Sequence, residues 1–186
     1  MRPGRYIRCI IIFTWIPLLL SCNIRLTDSD RFPTAVRMHY VRPYLQEPEQ
    51  CGPYALFSLL KYMGVEADID HLVDRLYSPG ARGTLTMDLY LEAERNGLDT
   101  RQLSGSADDL ARELTEYNPV VVLFKYPGFK GSTGHFILVT GYSENPEGFF
   151  LLWGDGKLSW MKLDRFQDFW SGSGSWMLTV RQGGEK

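Results

Sequence analysis

The hydrophobic period of this chain changes once, at Asn118-Pro119. Before that point apolar residues recur at helical spacing. After it they fall in short continuous runs, as in buried strands. Ala55, Leu56, Leu59, Leu60 and Met63 form one face of a helix that opens at Cys51 and stops at Gly64. Further helices are expected over 69–77, 86–96 and from Ser106 to the turn at Asn118, where Ser106 and Asp109 offer a capping box. Residues 120–124, 135–142, 149–153 and 176–180 are β-branched and aromatic and read as strands, with one short helix over 163–170. Helices first and an antiparallel sheet second is an α+β layout. Four of the five tryptophans, at 153, 160, 170 and 176, are expected to pack the sheet.

The N-terminus obeys other rules. Arg2, Arg5 and Arg8 precede an apolar run from Ile10 to Leu20 that contains only Thr14 and Pro17 as interruptions. Spanning a bilayer takes about 20 apolar residues, so this run is too short and suits a secretory signal instead. It ends in Leu19-Leu20-Ser21-Cys22, which resembles the lipobox of bacterial lipoproteins, where the cysteine carries the lipid. The expected organisation is a signal over 1–21, a tether over 22–37 and one domain over 38–182. The expected location is the bacterial cell envelope, exported, periplasm-facing and held to a membrane through Cys22. Loss of three arginines and no carboxylate takes the net charge from −2 to −5. A mildly acidic domain has no electrostatic footprint for nucleic acid.

Signal removal and acylation would leave Cys51 as a lone thiol, with no partner for an intramolecular disulfide. The chain has no P-loop, GxGxxG, GxSxG, CxxC or HExxH. Its three histidines are scattered, so no metal or other cofactor is expected.

One constellation carries chemistry. Cys51-Gly52-Pro53 places a thiol at the start of an apolar helix, where orphan N–H groups and the helix dipole favour thiolate. Gly52 leaves room for a carbonyl, and Pro53 suits the first turn. Gln46, five residues earlier, offers a side-chain amide for an oxyanion. His135 opens an apolar strand and is better placed for base chemistry than His39 or His71. Asp155 follows one hairpin later and could orient the imidazole. Between Gly154 and Gly156 it suits a plain turn equally well.

Gln46-x4-Cys51-Gly52-Pro53, the strand Gly134-His135-Phe136 and the later Gly141-Tyr142 resemble the double-glycine, or bacteriocin-processing, peptidases of the papain-like fold. The resemblance spans about residues 36–180. The stretches 77–85 and 166–170 resemble stand-alone lipoprotein members. It implies a papain-like fold with Cys51 as nucleophile, His135 as base then acid, Gln46 as oxyanion donor and Asp155 as orienter. It also implies a peptide or protein substrate, with cleavage after Gly-Gly in transporter-linked members. This chain has no transporter domain, and Asp155 is followed by Gly where Pro is expected. An amidase or acyl transferase acting on cell-wall peptides or small amides, or a silent peptide-binding module, would use the same scaffold.

Overall fold

The computed structural model describes residues 31–125 and 134–182. The signal segment, Cys22 and the first part of the tether lie outside the described residues.

Helix α1 (Cys51–Tyr62) buries Leu56, Leu59 and Leu60 completely. Helix α2 (Ile69–Leu76) is capped by the Asp68 side chain, which accepts from the His71 N–H. Helix α3 is Thr86–Arg95. Helix α4 (Ala107–Thr115) has the anticipated reciprocal cap between Ser106 and Asp109, which satisfies two orphan groups at once. Helix α5 is Leu163–Ser171.

The strands are β1 (Val36–Arg37), β2 (Leu98–Ser104), β3 (Val120–Phe124), β4 (His135–Glu144), β5 (Glu147–Leu152), β6 (Leu158–Lys162) and β7 (Trp176–Gln182). They form one antiparallel sheet in the order β2-β7-β3-β4-β5-β6, with β1 added beside β4. Strand β3 pairs with the first half of β4, from Phe124 opposite His135 to Val120 opposite Val139. Beyond Val139, β1 takes over that edge, with Val36 opposite Tyr142. The α+β expectation therefore holds, with helices α1 to α3 packed together, α1 on β4 and α3 on β2.

Three strands were not expected, β1, β2 and β6. In β2 only Leu98 and Thr100 are buried, so the segment is too polar to stand out. Strand β6 lies at the sheet edge with Leu158 exposed. The end of the expected tether also differs. Phe32 is buried edge-on against Phe150, with ring centroids 5.1 Å apart, and Val36–Arg37 joins the sheet. An aromatic ring that finds a partner of this kind gains more by docking than by staying solvated.

An aromatic chain supports the end of β4 where His135 sits. Phe166 is fully buried and meets Phe124 edge-on at 5.0 Å. Phe124 meets Trp153 edge-on at 5.5 Å. The tryptophans at 153, 170 and 176 thus pack the sheet as expected, and one of them reaches the site.

Candidate active site

Cys51 is the first residue of α1, and its N-cap residue Gln50 makes no side-chain cap. The first-turn N–H groups are therefore not consumed by a cap, which leaves them for a ligand. The thiol is buried, and its sulfur accepts a 3.4 Å hydrogen bond from the Phe136 N–H. That bond joins α1 to the start of β4. His135, one residue earlier, and Cys51 line the same cleft of about 530 Å³.

His135 Nε2 lies 3.0 Å from the Trp153 carbonyl oxygen, and the two rings stack at 5.9 Å. A carbonyl only accepts, so Nε2 carries the hydrogen and Nδ1 keeps its lone pair. The nitrogen available for proton abstraction is Nδ1.

Gln46 lines the cleft as well. Its N–H donates to the Gly154 carbonyl at 2.8 Å, and its side chain lies over Gly154. A Cβ at Gly154 would stand 2.0 Å from Gln46 Oε1, and Gly154 has φ +84. Glycine is required here on both counts.

Asp155 is placed differently from expectation. The register of β4 with β5, Leu138 opposite Leu152, would bring residue 155 opposite His135 if the ladder continued. It stops at Leu152. Gly154 then turns the chain, and Asp155 bridges to Leu45 instead. Its carboxylate accepts from the Lys157 N–H at 3.0 Å, and among the described residues it makes no hydrogen bond to His135. The contact that holds the imidazole belongs to the Trp153 carbonyl.

The cleft is closed on one side by Leu123, Lys125, His135 and Phe136 and on another by residues 81–86. Thr84 leans on Gly52 so closely that a Cβ there would lie 2.4 Å from Thr84 Oγ1. That hydroxyl is buried without a hydrogen-bond partner among the described residues.

Residues 40–182 match the model of the peptidase C39 family. The chain belongs to the peptidase C39 family. A search of curated proteins finds no match. Among solved structures it is similar to the peptidase domain of Streptococcus ComA, a bi-functional ABC transporter of a quorum-sensing pathway, at 21% identity and a TM-score of 0.60 over 76% of this chain and 98% of that one. It is also similar to a C39-like peptidase from Bacillus anthracis, at 16% identity and a TM-score of 0.66 over 81% and 99%. A third is a double glycine motif protease from an AMS/PCAT transporter in complex with the leader peptide, at 14% identity and a TM-score of 0.60 over 78% and 97%. These likenesses are likenesses of fold. The papain-like expectation holds, and the protein is a cysteine peptidase.

In this C39 peptidase burial governs the charges. It pushes the Cys51 thiol up, against the N–H groups of Phe136, Gly52 and Cys51 itself, which favour thiolate. It pushes His135 down, against the Trp153 carbonyl. The helix start alone was expected to favour thiolate, and desolvation outweighs it. Both shifts favour the uncharged form of their group.

Residue types in the sequence pointed to Cys51, His135 and Gln46. The Trp153 carbonyl and the Phe136 N–H are backbone groups, which side-chain patterns do not reveal. The wall at 81–86 overlaps the 77–85 stretch that the family resemblance had singled out.

Proposed function

We propose that this protein is an exported, lipid-anchored peptidase, held to the membrane through Cys22, that cleaves a peptide bond after small residues such as Gly-Gly through an acyl-enzyme on Cys51. The observation that carries this reading is one cleft shared by a thiol at a helix start without a side-chain cap, an imidazole whose Nδ1 makes no hydrogen bond among the described residues and the Gln46 side chain. The anchor rests on the basic leader, the apolar run and Leu-Leu-Ser-Cys at its end.

Cys51 Sγ attacks the scissile carbonyl carbon while its proton passes to His135 Nδ1. The oxyanion is met by the Gln46 side-chain amide and the Cys51 N–H. His135 then gives that proton to the leaving nitrogen, the C–N bond breaks, and a thioester remains. Water, deprotonated by His135, attacks the thioester and frees the acid and the thiol. The Trp153 carbonyl stabilises the imidazolium that forms midway. The role of third group, which the family pattern would give Asp155, goes to that carbonyl.

The preference for small residues takes support from Thr84, which packs against Gly52 next to the thiol. The reading also takes support from a structural neighbour that was solved with a leader peptide. The test is to incubate the mature protein with peptides bearing Gly-Gly or Ala-Ala and identify the products by mass spectrometry. Cleavage directly after Gly-Gly is expected. Products joined to an added amine would mean acyl transfer, and release of ammonia alone would mean an amidase. Either outcome overturns hydrolysis after Gly-Gly.

A further inference from the structure

We propose that Glu49, Tyr77 and Arg82 form a strap that sets the width of the cleft, making them positioning residues for size selectivity. The proposal rests on the reading of Cys51 as the nucleophile.

Glu49 lies two residues before Cys51 and lines the cleft. Its carboxylate is fully used. Oε2 accepts from the Tyr77 hydroxyl at 2.8 Å, and Oε1 accepts from Arg82 Nε at 3.0 Å and Nη2 at 2.7 Å. Both donors belong to the 77–85 loop, 28 and 33 residues away in the chain. The strap therefore ties the loop that makes the wall to the segment that carries the nucleophile.

The loop is hydrogen-bonded to itself between those ties. Ser78 and Gly83 exchange hydrogen bonds of 2.8 and 3.3 Å, and the Ala81 N–H donates to Ser78. Glu49 has φ +64 and Arg82 φ +49. A side-chain-bearing residue holds that conformation only where surrounding contacts impose it. The two residues at the ends of the ion pair are both in it, so the pair and the backbone define each other. Two residues beyond Arg82, Thr84 presses on Gly52. The wall is set from Glu49 on one side and stopped by Gly52 on the other.

Arg82 is mostly exposed, so the pair adds little to stability. Its effect is on position. With the strap cut, the wall is free to move away from Cys51 and larger groups gain access to the thiol.

The test compares alkylation of Cys51 in the mature chain by iodoacetamide and by iodoacetanilide, which share a warhead and differ in size. The wild type is expected to favour the small reagent. Glu49→Ala and Arg82→Ala should each reduce that preference by about tenfold, the lower end of what one methylene is worth in a fitted pocket. The double variant should lose no more than either single one, because both cut the same strap. Tyr77→Phe removes one hydrogen bond and should give a smaller reduction, which covers the case in which an alanine variant fails to fold. The same variants should accept Ala in place of Gly beside the scissile bond, through KM rather than kcat. An unchanged reagent ratio in Arg82→Ala and Tyr77→Phe, with or without a change in Tm, overturns the strap. Alkylation needs no peptide turnover. Reagent ratios that shift in a protein that cleaves no peptide would sustain the strap and sink the proposed substrate.

Discussion

His135 Nε2 lies 3.0 Å from the carbonyl oxygen of Trp153, and this backbone contact fixes the tautomer that leaves Nδ1 to face chemistry. A carbonyl oxygen can hold an imidazole and stabilise an imidazolium without adding a formal charge to the site. Asp155, two residues on, is spent on the Lys157 N–H. Replacing Asp155 with Ala should therefore retain most of the activity, far from the roughly 10⁴-fold loss that follows when a triad carboxylate is lost. A loss approaching that size, measured as kcat, would restore Asp155 to the site. Nitrogen NMR should show neutral His135 protonated at Nε2.

Gln46 should act in the transition state. Its amide sits over Gly154 on the cleft wall and gains most when the carbonyl becomes an oxyanion. Gln46→Ala is expected to lower kcat by about 10²–10³-fold with little change in KM. A change confined to KM would place Gln46 in ground-state binding. Gly154→Ala, which drives a Cβ into the same amide, should reproduce the Gln46→Ala defect.

The pH profile should be a broad bell. Burial holds His135 below its ordinary value of about 6.5 and the Cys51 thiol above about 8.5. The neutral pair therefore persists across the whole interval, and kcat/KM should fall on the acid side as His135 charges and on the alkaline side as Cys51 ionises. Stability follows the same limits. The unfolded chain protonates His135 first as pH falls through about 6.5, and it ionises Cys51 first as pH rises through about 8.5, so each change favours unfolding. Iodoacetamide rates should rise with pH through a midpoint above that of a free cysteine. Rapid alkylation below pH 6 would show a thiolate–imidazolium pair at rest.

Phe166 should matter to the fold and to the site at once. It is fully buried and meets Phe124, Phe149 and Trp170. Phe166→Ala should cost about 3–5 kcal/mol in urea unfolding. Because Phe124 carries Trp153 and Trp153 carries His135, a further loss of kcat is expected at temperatures where the variant is still folded. Full kcat in a destabilised variant would show that the aromatic chain supports the core alone.

Much of this architecture was legible in residue patterns, for reasons that differ by element. The apolar spacing of α1 announces a buried face, and β3 and β4 announce themselves as continuous apolar runs. Strand β2 stays hidden because its outward residues are Asp99, Arg101 and Leu103, a pattern no more strand-like than loop-like. That Cys51 and His135 line one cleft is in keeping with residue types that thiol chemistry needs. The hairpin logic that placed Asp155 beside His135 was sound in register. It failed because Gly154 ends the ladder and Leu45 captures the next residue, a long-range pairing that no local pattern encodes. The Glu49–Arg82 strap links positions 33 apart and is equally silent in sequence.

An acyl-enzyme on Cys51 can be trapped during turnover. Wild-type protein turning over a Gly-Gly peptide would be quenched in acid, digested and weighed. The peptide carrying Cys51 is expected to gain the mass of the substrate's N-terminal part. His135→Ala and Cys51→Ala should show neither this adduct nor cleavage. Cleavage that persists in Cys51→Ala, or an adduct on any other residue, would contradict an acyl-enzyme on Cys51.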